Sequence, residues 1–266
     1  MTTCIAAIGL SEGLDSEGEA IVFATDRMVS RSYLGQFEHN IEKYRKITPT
    51  AVAMVSGNLN NFQRLFDNLN NDYSYDTLQN KIYQNIINER DANIEKNIFS
   101  RFKIDHQSIN TILMKDHHNE FVTEMLNEIK DFDFSVSVLL AGFKGASAHI
   151  SVINEKFIGE RRDISFSAIG SGTTQAINTL YFQKHSKTDN MRTTLYNVYK
   201  AKRNSEVAVG VGKETDLFIM SSSGSLYKID ENNIKKLAQI YNKEMKYGKE
   251  SKYLDNVINS LTKIND

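Results

Sequence analysis

Strand-like and helix-like segments come in blocks along this chain, and that order constrains its fold more than any single motif. Short apolar runs at 3–9 (TCIAAIG) and 20–25 (AIVFAT), separated by Gly- and acid-containing residues, predict a hairpin. A second pair is predicted at 41–47 (IEKYRKI) and 51–56 (AVAMVS), joined through Thr48, Pro49 and Thr50. From Asn60 the spacing turns helical, with Phe62, Leu65, Phe66 and Leu69 recurring at three and four. Asp76 reads as the N-cap of a second helix that carries Leu78, Ile82, Ile86 and Ile87 towards Phe99. Residues 103–131 are polar, with a strand expected at 109–114 and a short helix at 120–130. Strand-like runs follow at 134–143, 147–153 and 164–169, the last ended by Gly170, Ser171 and Gly172. Helices are expected at 174–184 and 190–203, strands at 216–221 and 225–229, and a C-terminal helix from about Asn232.

Strands in blocks separated by helix pairs argue against a parallel sheet built from alternating strands and helices. They suit an α+β fold: two antiparallel sheets packed together, with helix pairs on the outer faces. Pro49 is the only proline and no Gly-rich linker divides the chain. The expectation is one domain over 1–266, with a polar insert at about 103–131 and a helical extension at about 232–266.

Charge and cysteine usage exclude several classes of function. With 32 Lys+Arg against 33 Asp+Glu, the formal net charge of −1 supplies no global field for nucleic acid or an anionic membrane, and neither is expected as a partner. The single Cys4 rules out an intramolecular disulfide and a Cys-based zinc cluster. No apolar run approaches the roughly 18–20 residues that cross a bilayer. The start of the chain lacks the basic region and long apolar core of a signal peptide, so the mature chain is expected to begin at Thr2 or Met1 and to be cytoplasmic.

Three places carry residues with chemical capacity. In Met1-Thr2-Thr3, the small side chain of Thr2 favours removal of the initiator methionine. That leaves a hydroxyl beside a free α-amine with a pKa of about 7.7–8.0, which is a nucleophile with its own base. Asp26 stands at the end of an apolar strand, and Lys43 lies in a strand-like segment where alternation places it with Ile41 and Arg45. A buried Lys near the amine would disfavour its protonated form, and an adjacent Asp would fix that Lys; two exposed charges would satisfy the same sequence. The third place, Ile169-Gly170-Ser171-Gly172-Thr173, is a strand-to-helix junction whose hydroxyls and amides can face a polar group. Capping of the helix by Ser171 or Thr173 explains it equally well.

Other groups fit no site. His117 and His118 are adjacent and so diverge, and the remaining histidines lack carboxylate partners at ligand spacing, so neither metal nor cofactor is expected. Ser11, Glu12 and Gly13 make no phosphate loop.

Together these pieces resemble the proteasome β-subunit family of N-terminal-nucleophile hydrolases, which has the bacterial HslV and Anbu proteins as relatives. The resemblance rests on Met-Thr-Thr, FATDRMVS at 23–30, EKYRKI at 42–47, AMVSGN at 53–58 and SAIGSGTTQA at 167–176, and on the spacing from Lys43 to Gly57. It implies a four-layer αββα sandwich and a threonine-type amide hydrolase, a self-compartmentalising peptidase acting on peptides or proteins as a homo-oligomeric ring or spiral. By the same resemblance Thr2 is the nucleophile with its own amine as base, Asp26 and Lys43 the supporting pair, Gly57 N–H the oxyanion donor, and Ser171 the group orienting the amine. Val29, Ser30 and Val55 match positions around the primary specificity pocket, which by the resemblance favours an apolar side chain of moderate size, or an acidic group instead if the nearby Arg45 reaches the pocket.

The chain departs from the family in its longer first turn, SEGLDSEG at 11–18, and in the absent Asp-x-x-Ser-Gly-Gly pattern. KRNSEVAVGVGKETD stands there at 202–216, with Asn204 and Glu206 as possible replacements for that Asp. Two alternatives share the resemblance: a transpeptidase or protein ligase working through the same acyl-enzyme, and a noncatalytic ring subunit. An ATPase partner is not specified by the sequence.

Overall fold

The computed structural model describes residues 2–11, 17–31, 35–38, 42–57, 62–115 and 119–249. They belong to two units, Met1–Tyr227 and Lys228–Asp266.

The first unit begins with β1 (Thr3–Leu10) and β2 (Glu19–Asp26), the predicted hairpin, in antiparallel register from Cys4↔Thr25 to Leu10↔Glu19. A small hairpin of β3 (Met28–Arg31) and β4 (Gly35–Glu38) follows. Then come β5 (Tyr44–Thr48) and β6 (Ala51–Ser56). The helices α1 (Phe62–Leu65) and α2 (Tyr75–Ile94) come next, and α2 runs on into a π-helical turn at Glu95–Phe99 and the short α3 (Ser100–Phe102). Helices α4 (His106–Lys115) and α5 (Glu120–Asp131) lead to strands β7 (Ser137–Lys144), β8 (Ser147–Asn154), β9 (Ile158–Glu160) and β10 (Phe166–Gly170). Helices α6 (Thr173–Phe182) and α7 (Met191–Ser205) and strands β11 (Thr215–Ser221) and β12 (Leu226–Lys228) complete the series.

Two five-stranded sheets result, in the orders β10-β1-β2-β11-β12 and β5-β6-β7-β8-β9. Alternation along the strands assigns their faces. Cys4, Ala6, Ile8, Ile21, Phe23 and Phe218 from the first sheet meet Val52, Met54, Leu139, Ala141 and Ile150 from the second in a shared core. Phe23 and Phe218 stack there with ring centroids 4.8 Å apart, and burying each contributes roughly 1.5–3 kcal/mol. The outer face of the second sheet, with Ala53, Val55, Val138 and Leu140, is covered by Leu65 of α1, by Phe66 just after it, and by Leu78, Ile82 and Ile86 of α2. Helices α6 and α7 pack against β1, β2 and β10 on the other side. The layers are therefore helix, sheet, sheet, helix, as the order of segments predicted.

Several local expectations are corrected. The N-cap of α2 is Ser74, whose side chain accepts from Thr77 N; Asp76 lies in the first turn and pairs with Lys144 at 2.7 Å. The strand expected at 109–114 is helix α4, because Ile109 and Ile112 stand one turn apart and face Val122 and Met125 of α5. Their small core, completed by Ile94, Ile98 and Phe99, makes the polar insert a helical layer in its own right.

Among the described residues of the second unit is α8 (Glu231–Lys249), opened by Asp230, whose carboxylate accepts from Asn233 N at 2.9 Å. The apolar stripe of Ile234, Leu237, Ile240 and Tyr241 lies on this helix. Among the described residues, no helix is long and apolar enough to cross a membrane.

Candidate active site

Thr2 enters the fold as the residue before β1, and the β1–β2 register carries it to the end of β2, where Asp26 stands. Thr2 Oγ1 donates to Asp26 Oδ1 at 2.6 Å and Thr3 N donates to the same oxygen at 2.8 Å. Lys43, the residue before β5, reaches across from the second sheet. Its Nζ donates to Thr2 Oγ1 and, at 3.0 Å, to Asp26 Oδ1. Thr2 is 3% exposed, Asp26 0% and Lys43 1%, so the hydroxyl lies between an ammonium and a carboxylate with little water to screen either. The sequence-level picture of Lys43 and Arg45 on one face does not hold: Lys43 is buried and Arg45 exposed.

The GSG turn closes the group from the third side. Ser171 Oγ accepts from Thr2 N at 3.2 Å and donates to Thr2 O at 3.4 Å. It does not cap α6; that N-cap is Gly172 with no side-chain bond, and Thr173 Oγ1 donates back to Gly170 O at 2.6 Å. Gly170 has φ +97°, and a Cβ there would collide with the Thr2 carbonyl. The glycine lets the turn approach the start of β1 closely enough for Ser171 to bond it at both backbone groups.

Burial pushes the Asp26 carboxyl up, but the Lys43 ammonium and hydrogen bonds from Thr2, Thr3 N and Gly212 N outweigh it and hold its pKa below the ordinary value. Asp26 therefore stays an anion that keeps Lys43 in place. Burial pushes the neighbouring Cys4 thiol up to about 12, so it stays protonated and is a poor nucleophile.

The segment without the expected Asp-x-x-Ser-Gly-Gly pattern does reach the site, through its backbone. Gly212 N donates to Asp26 Oδ2 at 3.0 Å, as does Met28 N. Glu206 pairs with Lys202 at 2.7 Å, and Asn204 donates to Thr179 Oγ1 at 3.0 Å; no contact of either with Thr2 is seen among the described residues. Arg27 grips the buried Asp216 through Nε at 3.0 Å and Nη2 at 2.7 Å, tying the end of β2 to β11. Sequence reasoning missed Gly212, Lys202, Arg27 and Asp216. Arg27 carried a signal as the neighbour of Asp26; a backbone amide such as that of Gly212 carries none.

Gly57 lies in the bend after β6 with φ +111°, and a Cβ there would strike the Ser135 carbonyl. Two residues earlier, Val55 O accepts from Cys4 Sγ at 3.7 Å, which brings the end of β6 beside the start of β1. Val55 itself is wholly buried under α1 and α2. Val29 and Ser30 belong to β3, but their side chains lie outside the described residues, as do His117 and His118. Among the described residues, no three His, Cys, Asp or Glu side chains cluster as metal ligands.

No protein-family model matches the chain, and no curated protein matches it in sequence. Solved structures do. Over 100% of both chains it aligns with the Anbu Gly-1 mutant from Hyphomicrobium sp. strain MC1, at TM-score 0.60 and 12% identity. It aligns equally completely with Anbu, the ancestral β-subunit, from Yersinia bercovieri, at TM-score 0.61 and 15% identity. This chain has the Anbu fold. At such low identity the likeness is one of architecture: two antiparallel sheets between helical layers, in the manner of a proteasome-like β-subunit. What the Anbu fold does in this chain rests on its own side chains.

Proposed function

We propose that this chain is a threonine-type amide hydrolase, a self-compartmentalising peptidase whose nucleophile is Thr2. The observation that carries the reading is the placement of Thr2 Oγ1 between Lys43 Nζ and Asp26 Oδ1, with Thr2 N on Ser171. Removal of Met1 turns Thr2 N from a peptide nitrogen, which is not basic, into an amine that accepts a proton near neutrality.

In the first step Thr2 Oγ1 bonds to the substrate carbonyl carbon while its proton passes to the Thr2 amine, directly or through water. The carbonyl electrons move onto oxygen, and the Gly57 N–H donates to that oxyanion. Collapse of the intermediate breaks the C–N bond and the leaving amine takes the proton, leaving an ester on Thr2. Water, deprotonated by the same amine, hydrolyses that ester and restores the hydroxyl. Throughout, the Lys43 charge favours a nucleophilic Thr2 oxygen, and Asp26 keeps the ammonium where it acts.

A homo-oligomeric ring or spiral would confine this nucleophile and so limit which proteins reach it. The test is hydrolysis of a mixed peptide library by the Met1-free chain, read by mass spectrometry with Thr2→Ala as control. Cleavage by the parent alone supports the proposal; equal cleavage by both, or by neither, contradicts it.

A further inference from the structure

Lys202 is 0% exposed, although it lies on a helix whose neighbouring positions include Lys200 and Arg203. Burying an ammonium is costly unless each of its donors finds an acceptor. Here they do: Nζ donates to Glu206 Oε1 at 2.7 Å, to Gly212 O at 2.9 Å and to Lys213 O at 2.7 Å. Two of the three bonds go to backbone carbonyls of one turn. The other side of that turn faces the catalytic group, since Gly212 N donates to Asp26 Oδ2 at 3.0 Å.

The same turn is held from a third direction. Glu38, at the end of β4, accepts from Lys213 N and, at 2.9 Å, from Glu214 N, and the Glu214 carboxylate pairs with Arg27 at 3.0 Å. A Cβ on Gly212 would run against Met28 and Glu38, so the turn also fits closely under the small hairpin. Lys202 is the only one of these holders on α7, and it grips the peptide unit next to the one that bonds Asp26.

We propose that Lys202 is a positioning residue, holding the Gly212–Lys213 turn so that Gly212 N–H is aimed at Asp26. It touches no reacting atom. Its effect passes from the Nζ–carbonyl bonds to the turn, from Gly212 N–H to Asp26 Oδ2, and from Asp26 Oδ1 to Lys43 and the Thr2 hydroxyl. The proposal rests on the reading of Asp26 as part of the hydrolase site.

The test compares the Met1-free parent with Lys202→Met and with Lys202→Met/Glu206→Leu. The second variant removes both charges of the Lys202–Glu206 pair together, at the cost of the Arg203–Glu206 contact at 3.1 Å, and both variants leave the Gly212 and Lys213 carbonyls without the Lys202 donor. Residue-resolved amide hydrogen exchange is the first readout. The second is the rate of covalent modification by a threonine-directed epoxyketone. Gly212 exchange is expected to rise about tenfold, with modification slowed by about the same factor, while amides in α7 and β11 keep their protection. Unchanged Gly212 exchange in a folded variant overturns the proposal. So does a uniform rise across α7 and β11, which would make Lys202 a stabilising residue and no more. If the parent itself takes no reagent, the hydrolase reading fails, while Gly212 exchange still reports on the hold that Lys202 has over this turn.

Discussion

Asp26 Oδ1 and Lys43 Nζ lie 3.0 Å apart, both withdrawn from solvent, and both bond the Thr2 hydroxyl. The pair joins the two sheets, because Asp26 ends β2 and Lys43 precedes β5. Both Asp26 oxygens are used, Oδ1 by Thr2, Thr3 and Lys43 and Oδ2 by Met28 and Gly212.

Removing one partner strands a buried charge. Lys43→Met is expected to cost about 3–5 kcal/mol of folding stability, and Asp26→Asn/Lys43→Met to recover most of it without recovering reactivity. Urea unfolding checks both. A single variant that unfolds like the parent would show that the pair is not buried as described.

Acid sensitivity follows from the sign of the Asp26 shift. Its folded pKa is lowered, so its contribution to stability is complete above the unfolded value of about 3.9 and disappears as pH falls through the folded value. Glu19, Asp105, Asp133 and Asp230 are also lowered and contribute in the same direction. The informative quantity is therefore the difference between parent and Asp26→Asn. That difference is expected to shrink as urea melts are carried from pH 5 down towards pH 3 (bounds set roughly by the unfolded carboxylate value). A constant difference would contradict the shift.

Two glycines with positive φ separate strain from collision. Gly145 has φ +62° with open space around it, so Gly145→Ala is expected to cost about 1 kcal/mol from backbone strain alone. Gly170→Ala adds the clash with the Thr2 carbonyl and should cost more, by at least a further ~1 kcal/mol. It should also slow modification of Thr2, which Gly145→Ala should not. The reverse order of stabilities would mean that the GSG turn does not hold Thr2 closely.

Hydroxyl and amide contacts around α6 can be told apart in the same way. Ser171→Ala removes the partner of Thr2 N, and with about 0.5–1.5 kcal/mol at stake it should slow Thr2 modification by up to about tenfold. Asn204→Ala loses the bond to Thr179, and should leave the rate unchanged while slightly lowering stability. Equal rates for parent and Ser171→Ala would remove Ser171 from the site.

The layer order was legible because apolar periodicity follows from burial on one face, and both predicted hairpins formed within a few residues of their expected limits. The Asp26 position was legible for a related reason: a carboxylate at the end of an apolar strand has little local role there. Less visible was the hairpin β3–β4, whose four-residue strands are too short to establish a period. In 109–114 the β-branched run INTILM imitated a strand, and only packing against α5 decides for helix. Lys202 was hidden more thoroughly. In KAKRNS it reads as one more cation on a solvated helix face, and its burial depends on carbonyls supplied by a turn ten residues on.

The central claim is most directly tested by treating the purified, Met1-free chain with an epoxyketone that closes a ring only on a hydroxyl beside a free α-amine, then mapping the adduct by peptide mass spectrometry. The account predicts one adduct, on Thr2, that is absent from Thr2→Ala and strongly reduced in Lys43→Met. A Met1-free chain that takes no adduct, or takes it equally when Thr2 is replaced, would contradict an active nucleophile at Thr2.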